Sequence, residues 1–291
     1  MLDMVLIERP EPERVPYRTE GPAPSVHEHV IRVGRSGTEC NSDCCADRSL
    51  LPTPSTHRKA SVNQAVPAQA ELPAIAARLE DRPAEEIVSW AFHQFGQKCA
   101  LVCSFQNCVL IDIAARIDGQ VEVIFLDTGS HFPETLAFVQ EVRTHFDLNV
   151  RMITPSADAD AWPCGTERCC EFRKVAPLTR ALSGRTAWMT GLKRVDTPSR
   201  AHTPVVEWDT VRQMVKVNPL ARWSHLDLAR YESDHRLPVH PLKDKDYPSI
   251  GCGPTTRPVP PGDDWRAGRW PGKGRTECGL HVAPTDWSGQ G

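Results

Sequence analysis

The chain has 291 residues, 40% hydrophobic and 24% charged, which is a normal composition for one large soluble domain or two small ones. Its net charge of −3 argues against non-specific binding to nucleic acid. The sequence has no secretory signal and no apolar run close to the roughly 20 residues of a membrane span, so its 11 cysteines indicate cytoplasmic thiols or metal ligands. We therefore expect a cytoplasmic protein that binds neither nucleic acid nor a membrane.

Three parts of the chain differ in composition. Residues 1–70 are rich in Pro, Ser, Glu and Arg and have no sustained period, which predicts a disordered N-terminal extension. Residues 71–245 alternate between strand-like and helical apolar patterns and predict an α/β domain. Residues 246–291 are rich in Gly and Pro, so we expect a loop-like C-terminal segment laid over the sheet.

Within residues 71–245, short apolar runs typical of buried strands alternate with helical patterns. The strands are predicted at 100–104, 121–126, 150–153 and 187–190. The helices are predicted at 72–79, 83–95, 109–116, 133–146, about 170–182, and from 224 onward. This alternation predicts an α/β fold in which an open parallel sheet carries helices on both faces. A polar segment near 205–217 predicts a further strand or hairpin.

Polar loops follow three of these strands at the carboxyl edge of the predicted sheet, where such folds bind ligands. Their candidate binding residues are Ser104, then Asp127, Thr128 and Gly129, then Lys193 and Arg194. Small and hydroxyl residues let backbone N–H groups reach a phosphate, and the two cations add positive charge. The loops together predict a site for an anionic nucleotide, whereas each loop alone is compatible with an ordinary turn.

A candidate nucleophile, Cys278, lies near the end of the chain, shortly after Arg266 and Arg269. A thiol attacks only as its thiolate, and nearby cations lower the pKa of a thiol. The pattern therefore indicates a cysteine that acts on an anionic substrate. The alternative is an ordinary thiol in a mobile tail.

A series of motifs, in order over roughly residues 85–283, resembles the adenylyl-sulfate and phosphoadenylyl-sulfate reductase family, which has an adenine nucleotide alpha-hydrolase-like fold. The motifs are 126–129 (LDTG), 132–135 (FPET), 169–178 (CCEFRKVAPL), 188–194 (WMTGLKR), 216–220 (KVNPL), 247–252 (YPSIGC), 266–270 (RAGRW) and 277–281 (ECGLH). By this resemblance, residues 71–245 are the sulfonucleotide-binding domain and residues 246–291 carry a cluster loop and the catalytic tail.

The resemblance implies reduction of adenylyl sulfate (APS) to sulfite and AMP, in assimilatory sulfate reduction and cysteine biosynthesis. It implies that Cys278 attacks the sulfur and becomes an S-sulfocysteine, from which thioredoxin or glutaredoxin releases sulfite. His281 would sit beside the reacting group, while Lys174, Arg266 and Arg269 would neutralise the phosphosulfate. A homo-oligomer is compatible with this prediction.

The cofactor implied by the resemblance is a [4Fe–4S] cluster, which the APS branch generally carries on a Cys-Cys pair and a later Cys-x-x-Cys. Cys169, Cys170 and Cys252 are present, but Thr255 stands where the fourth cysteine is expected. A neutral hydroxyl is a poor ligand for iron in such a site, so we expect an incomplete or labile cluster. Cys164 is a candidate replacement, although the sequence favours a loop thiol because the fourth ligand should arrive from the Cys252 loop.

The loop at 104–110 is one or two residues shorter than in family members and lacks their acidic residue, which would shift backbone donors relative to the phosphate. Two alternatives to an APS reductase therefore stay open. One is a phosphoadenylyl-sulfate (PAPS) reductase that works without a complete cluster. The other is a nucleotide- or metal-binding relative that has lost redox activity. The intact motif at 277–279 and both arginines favour an enzyme.

Overall fold

The structure, a computed structural model, describes residues 65–281. Residues 1–64 of the predicted N-terminal extension, residues 1–70, therefore lie outside the described residues, and residues 65–70 lead into the turn Gln69–Glu71. No helix among residues 65–281 combines the length and the hydropathy that a membrane crossing requires.

Six short strands of the described residues form one sheet. They are β1 Cys99–Val102, β2 Glu122–Leu126, β3 Asn149–Ile153, β4 Ala187–Thr190, β5 Val206–Asp209 and β6 Met214–Val217. Their order across the sheet is β3-β2-β1-β4-β6-β5, and neighbours run parallel except for the antiparallel pair β5 and β6. The prediction of an open parallel sheet is confirmed, and β5 with β6 forms the hairpin predicted near 205–217.

Helices cover both faces of this sheet because successive side chains of a strand point to opposite sides. The helices are α1 Leu72–Leu79, α2 Ala84–Phe95, α3 Val109–Ile117, α4 Pro133–His145, α5 Glu167–Cys170, α6 Ala176–Ala181 and α7 His225–Asp234. On β1, Cys99 and Leu101 belong to a core cluster shared with α1 to α4. Ala100 and Val102 belong to a second cluster, which is shared with α6.

The helix predicted at 170–182 is interrupted in the structure. A π-helical turn, Glu171–Val175, separates α5 from α6, and the N–H of Ala176 bonds the carbonyl of Glu171. Pro177 explains the interruption, since it has no N–H to donate to the carbonyl four residues earlier. The π-helical turn carries Lys174 and follows directly after the Cys-Cys pair, so the interruption shapes the part of the chain in which the sequence places site residues.

The C-terminal segment packs against loops at the carboxyl edge of the sheet. The N–H of Gly253 donates to the carbonyl of Ser130, after β2, at 2.7 Å. Near the end of the described chain, Leu280 packs against the second core cluster. Inside the segment, a Cβ at Gly268 would lie 2.1 Å from the carbonyl oxygen of Arg257, so only glycine allows this close approach.

Candidate functional site

A pocket of about 180 Å³ opens at the carboxyl ends of β1, β2 and β4. Its floor contains Val102, Leu126 and Thr190, the last residues of these three strands. Loops after the strands and the C-terminal segment form its walls. The pocket therefore lies at the edge of the sheet where the sequence predicts a nucleotide site.

Most of the residues predicted to act on or bind the substrate line this pocket. They are Ser104, Thr128, Lys174, Lys193, Arg266, Arg269, Cys278 and His281. The other three predicted residues, Asp127, Gly129 and Arg194, do not line it. The Asp127 carboxylate accepts a hydrogen bond from the N–H of Gly129 at 2.9 Å and so shapes the loop after β2. Arg194 bonds both carboxylate oxygens of Glu80, at 2.6 and 3.0 Å, and thus contacts the residue that follows α1 instead of the pocket.

Arg266 and Arg269 both bond neutral groups, and neither forms a salt bridge with a carboxylate of residues 65–281. Arg266 donates to the carbonyl of Thr276 at 2.9 Å, and Arg269 donates to Ser249 and to the carbonyl of Ile250, both at 3.2 Å. Among the described residues, the buried Nε atom of each arginine has no hydrogen-bond partner. Burial, and then the charge of Arg266, lower the pKa of Arg269 to about 10. Two half-buried cations with spare donors suit an anionic ligand.

Two lysines carry further positive charge at the pocket. Burial works against the charged form of Lys174, but the sulfur atoms of Cys252, Cys278 and Cys170 raise its pKa above the usual value. Lys193 is only 3% exposed, and its Nζ lies 2.9 Å from the Asp196 carboxylate. Lys174 therefore holds its charge beside the candidate nucleophile, whereas much of the charge of Lys193 is neutralised.

The segment that carries Cys278 is held by an ion pair that the sequence does not predict. Arg200, after β4, donates to both carboxylate oxygens of Glu277, at 2.6 and 2.5 Å. Thr197 donates to the same carboxylate at 2.9 Å. Burial opposes the charge of Glu277, yet the bonds from Arg200 hold its pKa below the usual value. Gly279, with φ of +81°, then allows the turn that follows Cys278.

His281 is half-buried and stacks on Trp188, with ring centroids 5.9 Å apart and ring planes 7° from parallel. Burial first, and then the nearby cations Lys216 and Arg200, lower its pKa well below the usual value. The imidazole is therefore neutral near pH 7. Its Nδ1 atom is buried and has no hydrogen-bond partner among the described residues.

Other pocket residues were not found from the sequence. Gln106 and Asn107 line it from the loop after β1, and the Gln106 side chain accepts a hydrogen bond from the N–H of Ile250 at 3.0 Å. Arg200 also lines it. The first two lie in the polar loop at 104–107, which the sequence predicts at the ligand-binding edge of the sheet, although Ser104 alone is named there as a binding residue. No local pattern marks Arg200, because its partner Glu277 lies 77 residues away.

The predicted cluster cysteines lie next to the pocket. Cys169 and Cys170 are buried in α5, and Cys252 is buried in the C-terminal segment, where its sulfur lies 3.5 Å from the hydroxyl of Thr128. Interaction with Cys252, then burial and interaction with Cys169, raise the pKa of the Cys164 thiol. Interaction with Cys164 is the main reason that the pKa of Cys252 lies below the usual value, although burial opposes it.

The chemistry of these donors fits an iron–sulfur cluster. No three His, Cys, Asp or Glu side chains of residues 65–281 converge as the ligands of a single metal ion would. A [4Fe–4S] cluster needs a different arrangement, since each thiolate binds a different iron. Thiols from α5, from the preceding turn and from the C-terminal segment surround one region, and thiolate is the ligand that such clusters prefer.

A family model and named relatives agree on one family. A family model described as "Phosphoadenosine phosphosulfate reductase domain" matches residues 98–258. Adenosine 5'-phosphosulfate reductase of Streptomyces coelicolor is 44% identical over 224 residues, which cover 72% of this chain and 95% of the relative. The enzyme of that name from Mycolicibacterium smegmatis is 42% identical over 217 residues, which cover 72% and 92%.

A solved structure supports the fold. The crystal structure of phosphoadenylyl-sulfate (PAPS) reductase from Candida auris, a phosphate complex, aligns with a TM-score of 0.59. The alignment covers 67% of this chain and 100% of that one, at 23% sequence identity. This likeness concerns the fold alone.

Proposed function

Since the chain belongs to the phosphoadenosine phosphosulfate reductase family, we propose that it reduces adenylyl sulfate to sulfite and AMP, with Cys278 as the nucleophile. The observation that carries the proposal is the placement of Cys278 in a pocket with Arg266, Arg269 and Lys174. The names of the relatives and the three retained cluster cysteines favour APS as the substrate.

The first step forms a bond between two sulfur atoms. The Cys278 thiolate attacks the sulfate sulfur of APS, the bond from that sulfur to the phosphate oxygen breaks, and AMP leaves with the electron pair. The product is an S-sulfocysteine at Cys278. Without cations, the anionic oxygens around the sulfur would repel a thiolate, so Arg266, Arg269 and Lys174 make the approach feasible.

The second step needs a dithiol reductant of the thioredoxin or glutaredoxin class. One of its thiolates attacks the Cys278 sulfur, and sulfite leaves with the electron pair of the broken S–S bond. The second thiol of the reductant then attacks the mixed disulfide and returns Cys278 as a thiolate. The dithiol is oxidised by two electrons, and the sulfur of the substrate is reduced by two.

The described cysteines are free thiols, which fits a reducing compartment, and we assign the protein to the cytoplasm on that ground. Cys169, Cys170 and Cys252 would hold the family's cluster beside Lys174. When bound, the cluster would supply fixed charge there and tie α5 to the C-terminal segment.

Mass spectrometry of the protein after incubation with APS tests the proposal. We expect an added SO3 group on Cys278 that a dithiol removes, and none in Cys278→Ser, because a serine hydroxyl is un-ionised near pH 7. Cys99→Ala, in the core cluster away from the pocket, is the matched control and should keep the adduct. Nucleotide binding without an adduct in the wild-type protein would instead indicate a relative that has lost redox activity.

Thr255 gives the PAPS alternative its support, because the PAPS branch generally lacks the cluster cysteines. The rate of adduct formation with APS and with PAPS distinguishes the two substrates. We expect the larger kcat/KM with APS, and a preference for PAPS would overturn the choice of substrate while leaving Cys278 as the nucleophile.

A further inference from the structure

The structure brings a fourth thiol to the three cysteines of the predicted cluster site. We propose that Cys164 is the fourth thiolate ligand of a [4Fe–4S] cluster and replaces the cysteine expected at the position of Thr255. The inference rests on the proposed function for the presence of a cluster. It deepens that function by assigning a ligand from a different segment of the chain.

The turn that carries Cys164 lies between both groups of predicted ligands. Thr166, two residues after Cys164, accepts a hydrogen bond from the N–H of Cys169 in α5, and Gly165 packs against Thr255, three residues after Cys252. Cys169 and Cys252 are 3% and 5% exposed, so the contact lies in a region from which water is largely excluded. A thiol in this place meets the first requirement for a ligand, which is proximity to the other thiolates.

The turn that carries Cys164 packs directly onto residue 255. A Cβ at Gly165 would lie 2.6 Å from the Cγ2 atom of Thr255 and 2.7 Å from the Nζ atom of Lys273. Gly165 also has φ of +90°, which side-chain-bearing residues rarely adopt. Glycine at 165 thus allows the thiol of Cys164 to reach the neighbourhood in which the expected fourth cysteine would stand.

Lys273, Arg275 and the helix-capping residue Thr166 hold the turn that contains Cys164 and Gly165. Lys273 donates to the carbonyl of Cys164 at 3.4 Å, and Arg275 donates to the carbonyl of Gly165 at 3.2 Å. The Thr166 hydroxyl accepts a hydrogen bond from the N–H of Cys169 at 3.1 Å and so caps α5. The backbone of residue 164 is therefore tied both to the helix that carries the Cys-Cys pair and to the C-terminal segment.

Thr255 itself is not presented as a ligand. It is 4% exposed, and its hydroxyl donates to the carbonyl of Cys252 at 3.3 Å. The hydroxyl thus has a backbone partner, and neutral oxygen is a poor donor to iron. Residue 255 serves to shape the turn Gly253–Thr255 that positions Cys252.

The other cysteines of residues 65–281 have different places. Cys99 and Cys108 belong to the first core cluster, and Cys103 packs against it. Cys278 lines the pocket as the proposed nucleophile. Within the described part of the chain, Cys164 is therefore the thiol that remains beside the three predicted ligands.

Iron and labile sulfide analysis, after anaerobic reconstitution, tests the assignment without any measurement of activity. We expect four irons and four sulfides per chain in the wild-type protein and no gain from Thr255→Cys, because the ligand set is already complete. Cys164→Ala should hold three irons or fewer. Adding Thr255→Cys to Cys164→Ala should restore four, while the control Cys99→Ala should match the wild type.

Alkylation of the unaltered holoprotein gives a second measurement that does not depend on the folding of a variant. Iodoacetamide should leave Cys164 unmodified while the cluster is bound and should label it after a chelator has removed the iron. A Cys164→Ala protein with four irons, or labelling of Cys164 in the intact holoprotein, would overturn the assignment.

Iron content also separates the two proposals. A wild-type protein that binds no iron yet forms the Cys278 adduct refutes the role of Cys164 and leaves the proposed function standing. A Cys164-dependent cluster in a protein that forms no adduct refutes the proposed function and supports the ligand assignment.

Discussion

The ion pair between Arg200 and Glu277 should control how well Cys278 attacks its substrate. The Arg200 and Glu277 side chains are 11% and 9% exposed, so the pair is nearly buried. Removing one partner of a buried pair costs about 3–5 kcal/mol if the other charge stays buried. In Arg200→Ala, the segment around Cys278 can avoid this cost by moving so that Glu277 reaches water.

That movement would displace the nucleophile. Because a misplacement on the order of 1 Å can cost about 100-fold in rate, we expect Arg200→Ala to slow Cys278 adduct formation by about that factor. The free energy of unfolding should fall by less than the 3–5 kcal/mol expected for a trapped charge. A single-turnover reaction followed by mass spectrometry gives the rate, and urea unfolding gives the stability.

Two further variants separate positioning from direct contact with substrate. Glu277→Gln removes the charge of a residue outside the pocket lining, so it should slow the reaction at unchanged affinity for the nucleotide. Arg185→Ala breaks an Arg–Glu pair with Glu122, away from the pocket, and should lower stability without changing the rate. A wild-type rate in Arg200→Ala, or equal rate losses in Arg200→Ala and Arg185→Ala, would refute the reasoning.

Two other predictions concern charge. Arg269→Ala should weaken binding of AMP and APS by about 10- to 100-fold, since a charged hydrogen bond contributes about 1.5–3 kcal/mol, whereas Arg194→Ala should change affinity less because its partner is Glu80. Titration calorimetry compares the two, and equal losses would place Arg194 at the substrate. Burial lowers the pKa of His240 from 6.5 to about 4. The folded state therefore binds a proton at His240 less well than the unfolded chain does. The free energy of unfolding should fall as the pH is lowered from 6.5 to 4. Urea unfolding of His240→Gln should show a weaker pH dependence, and an unchanged dependence would assign it to other groups.

The sequence predicts the centre of the sheet well because β1, β2 and β4 are apolar and buried along most of their length and need no distant partner to be recognised. It predicts the pocket residues less completely, and the two arginines after β4 show why. Arg194 lies in the recognised motif but bonds Glu80, whereas Arg200 lies outside it and holds Glu277. The choice depends on which carboxylate each guanidinium meets after folding, and both partners are far away in the chain.

Lys174 connects the predicted cluster site with the pocket. Burial lowers the pKa of Lys174, but the charges of the sulfur atoms of Cys252, Cys278 and Cys170 raise it above the usual value. Lys174 lies on the π-helical turn directly after the Cys-Cys pair. We therefore expect a change of charge at the cysteines of the predicted cluster site to act on the same cation that lines the pocket. Lys174 thus provides a route by which charge at the predicted cluster site would influence the reactivity of Cys278, without any need for the two sites to share a ligand.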